Sequence, residues 1–489
     1  MKTQLLFLTV LVGLCGGIYA QPITDAASLS DSEIQDILRY RVDAQQQALG
    51  IVVGVISPQG RRVISYGTFD TQKHVRDSDV VFPVGAITEV FTALLLADMD
   101  QKHEVALKDP VAKYLPKTVR IPERGRAITL QDLATHATGL PKGPTNLRPK
   151  DPSNPYADYT MNDLYQFVSA YHLTRDVGSE WEYSSIGPAL LGQALALREH
   201  LTYEQLVRTR IAVPLGMKST AITLSPEMMS RLAVGHDAQM TAVPDWTFQA
   251  LAGAGAVHTT AADLLTLLAA VLGYNKSPLS PAMSAMVKVR QPTTWSELEN
   301  ALGWQVSILD GREIFRKDGT TVGYGNVGHA TFIAYSAQSR VGVVVLSNSA
   351  TLMGIEDIGL HLLDSRYPLR GRTQKEVSVN PQISTRYVGS YQLSPNSVIT
   401  ITDEKGHLYA QLTNQPKFPI FPQSEYIYFY KIFDAQLTFE TDREGGCVAA
   451  ILHYNGRHQR APRIEKKLAP IGGEQSPGLS LSRTSLTAP

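Results

Sequence analysis

Glu89 is a carboxylate at the head of a mostly apolar run. Residues 82–99 read FPVGAITEVFTALLLADM, and the run from Val90 to Ala97 is broken only by Thr92. A helix that is apolar all round sits inside a domain rather than on its surface. The run is far too short to span a bilayer. Gly85 marks a tight entry, and Ala86 and Glu89, three residues apart, share a face of the first turn. A carboxylate on such a helix serves either as a base or as one half of a buried ion pair. The other residues able to do chemistry are His136, the run Tyr183-Ser184-Ser185, and Lys317-Asp318-Gly319.

The surrounding elements follow from periodicity. Asp31 to Ala48 carries Ile34, Ile37, Leu38 and Val42 at helical spacing, with Asp31 as cap. Ile51–Ile56 and Arg62–Tyr66 are β-branched runs around Ser57-Pro58-Gln59-Gly60, which predicts a hairpin. Ile128–Pro141 is a short helix stopped at Gly139, with His136 packing at its end. Lys142–Pro155 is rich in Pro, Asn and Lys and is expected to be a loop at a cleft rim. Trp181–Ala194 leads into another helix. Val327–Tyr335 and Arg340–Asn348 are strands, the second central because it is almost wholly apolar, and Thr351–Leu363 is a helix. After a polar stretch at 371–381 the texture changes to period two. Ile399 and Ile401, then Leu408, Ala410 and Leu412, then Leu437 and Phe439 alternate with polar residues. Turns fall at Glu404-Lys405-Gly406 and Glu444-Gly445-Gly446, so a small antiparallel barrel is expected.

Residues 82–99 resemble a segment of the serine β-lactamase and penicillin-binding family, class C-like and related to esterases and D-peptidases, which typically reads F-x-x-G-S-x-T-K-x-F-T. ITLQDLATHATGL (128–140), Tyr183 with its following helix, Pro214-Leu215-Gly216-Met217, LAGAGAVHTTAADL (251–264) and Lys317-Asp318-Gly319 resemble further motifs of that family in the same order. The resemblance covers roughly 30 to 370. It implies an α/β (α+β) penicillin-recognising fold, an antiparallel sheet flanked by helices with a helical subdomain. The period-two region resembles the lipocalin-like appendage of some members. The implied boundaries are a signal at 1–20, the penicillin-binding-like domain at 30–370, a linker at 371–384, the β domain at 385–468 and a disordered tail at 469–489.

In the family a serine attacks a carbonyl, and a lysine and tyrosine handle the proton. By position, Ala86 replaces that serine and Glu89 replaces the lysine. Tyr183 keeps the phenol and Lys317 the cation. Ser185 stands where the family has Asn, and Gly319 and Thr320 continue the substrate-binding strand. Backbone N–H groups at Ala86 and Thr320 are the implied oxyanion donors. A methyl group forms no acyl-enzyme. The resemblance therefore implies an exported pseudoenzyme, or a hydrolase of non-standard mechanism, for a small-molecule or peptide ligand: a β-lactam, a peptidoglycan-like peptide or an ester. The alternative is an active hydrolase or peptide-tailoring enzyme with Glu89 as base, Tyr183 as acid and Lys317 holding an anion. Ser184 or Ser185 as substitute nucleophile is set against an ordinary hydrogen-bonding role. No cofactor or metal is expected.

Charge and composition point to neither a nucleic-acid nor a polyanionic partner. Lys plus Arg and Asp plus Glu are 45 each, so no basic excess points to nucleic acid. Lys2, the apolar Leu5–Leu14 run and the small residues Gly16, Gly17 and Ala20 read as a secretory signal cut after Ala20, giving a secreted or periplasmic protein without a transmembrane anchor. Cys15 follows Val12-Gly13-Leu14, a poor match to a lipoprotein box. With the signal gone, Cys447 is the only cysteine, so no intrachain disulfide forms and stability rests on core burial.

Overall fold

The computed structural model describes residues 29–464 apart from 294–297, 310, 321–327, 352–353, 371–375, 395–396, 414, 432–434, 443 and 455–456. The expected signal, Cys15 and the tail from 469 lie outside the described residues. The chain divides into two units, Met1–Arg372 and Thr373–Pro489.

The first unit begins with helix α1 (Asp31–Arg39), capped by Ser30 rather than Asp31: Ser30 and Glu33 satisfy each other's backbone amides in a capping box. Asp31 is instead a first-turn acid, and its carboxylate meets Arg62. Strands β1 (Gly50–Ser57) and β2 (Gly60–Gly67) form the expected hairpin. A short strand β3 (Val81–Pro83) leads through the turn Gly85–Ile87 into helix α2 (Thr88–Gln101). Helices α3 (Leu130–Thr135), α4 (Ile186–Glu199) and α5 (Ala261–Val271) follow, with strand β4 (His258–Thr260) pairing β3. Then come β5 (Gln291–Pro292), β6 (Leu298–Asn300), β7 (Gln305–Leu309), β8 (Arg312–Thr320), β9 (Ala330–Ser336), β10 (Val341–Ser347) and helix α6 (Glu356–Leu363). That last helix starts later than its sequence pattern suggests, with Ile355 at its cap.

The main sheet has eight strands in the order β2-β1-β10-β9-β8-β7-β6-β5, every pair antiparallel. Its central strands are buried on both faces, which explains their near-continuous apolar runs. Val52 and Ile56 of β1, with Val344 and Leu346 of β10, face a core shared with α2, α4 and α5. Ile51, Val53 and Val55, with Val343 and Val345, face a second core under α1 and α6. Helix α2 is buried at every residue from Thr88 to Met99. The one polar residue of its Val90–Ala97 run is satisfied: the Thr92 hydroxyl lies 2.7 Å from the Gly253 carbonyl and 2.5 Å from the Tyr203 hydroxyl.

The second unit is a closed eight-stranded antiparallel barrel: β11 (Gly389–Ser394), β12 (Ser397–Glu404), β13 (His407–Leu412), β14 (Lys417–Pro422), β15 (Ile427–Tyr430), β16 (Ala435–Thr441), β17 (Cys447–Tyr454) and β18 (Arg457–Ile464). Closure joins Ser390 to Ile464 and Tyr391 to Arg463 across β11 and β18. Ile399, Ile401, Leu408, Ala410, Leu437 and Phe439 point inward, and Tyr387 stacks on Phe439 with ring centroids 4.3 Å apart. The interior is therefore filled by side chains.

Candidate active site

The turn Gly85–Ile87 leaves Ala86 partly exposed between two buried residues, Gly85 and Ile87. Gly85 takes a positive φ of 49°, a conformation glycine adopts without steric cost. Strand β8 passes against this turn. A side chain at Gly319 would collide with the Val84 carbonyl, so only glycine allows the approach. The Thr331 hydroxyl pins the contact, 3.1 Å from the Val84 carbonyl and 2.8 Å from the Gly319 carbonyl. Thr320 ends the strand, its backbone in register with Ala330.

In the first turn of α2, the Glu89 carboxylate is 2% exposed and accepts from three donors. Lys317 Nζ lies 2.5 Å from Oε2. His136 Nε2 lies 3.2 Å from the same oxygen. The Tyr183 hydroxyl donates to Oε1 over 2.9 Å. His136 occupies the left-handed exit of α3, with φ 57°. Its Nδ1 accepts the Ser184 amide at 3.3 Å, so the ring proton sits on Nε2 and points at Glu89. Lys317 also lies 5.6 Å from the centre of the Tyr183 ring.

These contacts settle the charges. Burial opposes ionisation of Glu89, but Lys317 and then His136 outweigh it and hold the carboxyl down to about 2. The helix N-terminus acts in the same direction. The Tyr183 phenol is pushed well above its ordinary value, first by burial and then by the Glu89 charge, with Asp318 and Tyr156 adding to it. A carboxylate this weak as a base is far from the value near neutrality that general-base catalysis favours. A phenol that is donating to that carboxylate holds its proton.

The remaining hydroxyls are turned away. Ser184 is buried and donates to the Pro141 carbonyl at 2.7 Å. Ser185 Oγ donates to the Lys142 carbonyl at 3.1 Å, and its amide donates to the same oxygen at 3.0 Å. Both tie the Tyr183 segment to the loop after α3. Of the residues singled out in the sequence, Glu89, Tyr183 and Lys317 come together, Ala86 and Gly319 line the same turn, and Ser185 serves the loop. The side chain of Thr320 lies outside the described residues. Sequence reasoning placed His136 at a helix end and missed its hydrogen bond to Glu89. A polar ring directly after a short capped helix, on the sequence that precedes the cleft loop, was the available signal. Among the described residues there is no cluster of three or more His, Cys, Asp or Glu side chains able to hold a metal, and no helix long and apolar enough to cross a membrane.

The sequence profile of the beta-lactamase family matches residues 34–363. A second profile, a domain of unknown function (DUF3471), matches residues 373–465. The chain therefore belongs to the beta-lactamase family, within its serine β-lactamase and penicillin-binding group. It is 30% identical over 372 residues to the D-alanyl-D-alanine-carboxypeptidase/endopeptidase AmpH of Escherichia coli (strain K12), covering 72% of this chain and 93% of that one. A penicillin-binding protein of Bacillus subtilis (strain 168) is 25% identical over 447 residues, covering 84% and 94%. Among solved structures, the octameric penicillin-binding protein homologue from Pyrococcus abyssi shares the fold with a TM-score of 0.61 at 17% identity, over 88% of this chain and 100% of that one. A class C beta lactamase from Rhodobacter sphaeroides does so with 0.54 at 24%, over 65% and 93%.

Proposed function

We propose that this protein is an exported pseudoenzyme of the family, which binds β-lactam, peptide or ester ligands reversibly in the cleft over Ala86 without turning them over. The reading assigns the signal to 1–20, the binding domain to 30–370 and a separable β domain to 385–468. The observation that carries it is the Glu89 carboxylate held by Lys317, His136 and Tyr183 beneath a methyl group. In triad hydrolases, loss of the nucleophile leaves only about a thousandfold to ten-thousandfold advantage over water. The alternative, with Glu89 as base and Tyr183 as acid, asks a carboxylate near 2 to accept a proton and a raised phenol to give one up.

The test is acylation by a fluorescent penicillin, read as a band on a denaturing gel, together with nitrocefin turnover. Wild-type protein should give neither. Ala86→Ser alone should give little, because Glu89 is a poor acceptor for a serine proton. Ala86→Ser with Glu89→Lys should label more than the product of the single effects, since such groups act as one unit. Wild-type turnover abolished by Ser184→Ala or Ser185→Ala would sink the reading.

A further inference from the structure

The cation of this cleft is already spent. Lys317 is 5% exposed, and its ammonium is paired with Glu89 at 2.5 Å. Asp318, the next residue of β8, is exposed, and its charge adds to the upward push on the Tyr183 phenol. Tyr183 thus feels the Glu89 and Asp318 carboxylates, while the Lys317 ammonium, 5.6 Å from its ring, is already paired with Glu89. The wall beside Tyr183 is aromatic: Tyr156 stacks on Phe248 with centroids 5.4 Å apart and meets Trp246 edge-on at 5.5 Å. Lys142 borders Ser185 through its carbonyl, but its side chain is exposed. A charge standing in water attracts weakly and is screened by salt.

We infer that the cleft selects ligands that are uncharged where they meet β8, esters and internal amides, over ligands that end there in a carboxylate. The inference rests on the binding reading above and narrows it. For a carboxylate to reach Lys317 it must displace Glu89, which is held by two further donors, or lie beside it. Like charges set side by side in an interface cost several kcal/mol, so the discrimination comes from repulsion as much as from a missing attraction. A neutral carbonyl pays neither cost and retains the strand edge and the aromatic wall.

The experiment is calorimetric titration of the full chain with N-acetyl-D-alanyl-D-alanine and with its C-terminal amide. Wild-type protein should bind the amide at least about tenfold more tightly than the acid. Asp318→Asn, at an exposed position that leaves the core untouched, should narrow that gap severalfold, and so should raising the salt concentration. Glu89→Gln frees Lys317 and should close the gap or invert it. Equal or tighter binding of the acid by wild type overturns the inference and leaves the binding reading standing. A preference unchanged in both variants and in high salt overturns its electrostatic cause. Binding of neither probe by folded wild type or folded Asp318→Asn removes the binding reading, and the inference falls with it.

Discussion

The two ends of helix α2 each hold a buried acid, and they solve the problem in opposite ways. At the N-terminal end one carboxylate, Glu89, takes three donors in a dry pocket. At the C-terminal end one cation, Arg210, serves three carboxylates, Asp98 at 3.1 Å, Glu104 at 2.8 Å and Glu199 at 2.6 Å. Asp98 also takes Lys102 at 2.8 Å. The helix dipole favours Glu89 and opposes Asp98, so Asp98 depends on its cations for stability while Glu89 has the backbone in its favour. Burial works against the Arg210 charge, yet the hydrogen bonds it donates to Glu104, Asp98 and Glu199 raise its pKa above the ordinary guanidinium value. Water reaches that end: the Lys102 side chain is 52% exposed, against 6% for Lys317. The C-terminal cluster straps α2 to the segment around Glu199 and Arg210. The N-terminal cluster joins α2 to the end of α3, the Tyr183 segment and β8. The lesson is that the same ion-pair chemistry carries different energetic weight according to whether solvent can replace a lost partner.

The difference can be broken by removing one cation from each end. Lys317→Met leaves Glu89 buried with only His136 and Tyr183 as donors and should cost about 3–5 kcal/mol. Urea unfolding followed by tryptophan fluorescence reads it, because all four tryptophans lie within the first unit. Glu89→Leu with Lys317→Met should recover most of that loss or exceed wild-type stability, since a well-packed apolar pair often matches a buried ion pair. A double variant as unstable as Lys317→Met would mean that packing, not charge, sets the cost.

Acid provides the next largest effect. The Glu89 carboxyl falls from an ordinary 4.5 to about 2 in the fold. A depressed carboxyl contributes stability above its unfolded value and loses it as pH falls through its folded value. The contribution, on the order of 3 kcal/mol, should therefore be complete above about pH 4.5 and gone near pH 2. Subtracting the profile of the Glu89→Leu, Lys317→Met variant isolates it, and a flat difference across that window would contradict the assignment.

At the other end the effects should shrink. Arg210→Ala strands Asp98 but leaves it Lys102 and nearby water, so a loss of about 1–3 kcal/mol is expected in the same unfolding assay. If it matched Lys317→Met, the contrast between the two ends would fail. Lys102→Ala should cost no more than about 0.5 kcal/mol, as exposed pairs spaced i to i+4 generally do. Its midpoint should also be the more sensitive to salt.

How much of this was legible in the chain depends on how local each cause is. The burial of α2 follows from its own apolar run, broken only by Thr92, and the barrel strands from their own period-two alternation, because one element's periodicity states which faces must avoid water. The hairpin of β12 and β13 is equally local: Lys405 and Gly406 take positive φ of 56° and 84°, where the turn residues lie. The resemblance of residues 82–99 to the family segment, with Ala86 and Glu89 at its Ser and Lys positions, was visible too, since it is a matter of residue type at a recognisable spacing. What the sequence did not contain was the partner list of Glu89. Tyr183 is 94 residues away and Lys317 228, and the family resemblance suggested only that they share a cleft. His136, 47 residues away, looked like a packing residue. Its role depends on a left-handed helix exit and on the Ser184 amide fixing its tautomer, both products of how α3 meets the Tyr183 segment. The directions of the Ser184 and Ser185 hydroxyls, and the closure of β11 on β18, were decided in the same way. Propensity and patterning act over a turn or a strand, whereas a hydrogen bond between distant residues exists only once packing has fixed both its ends.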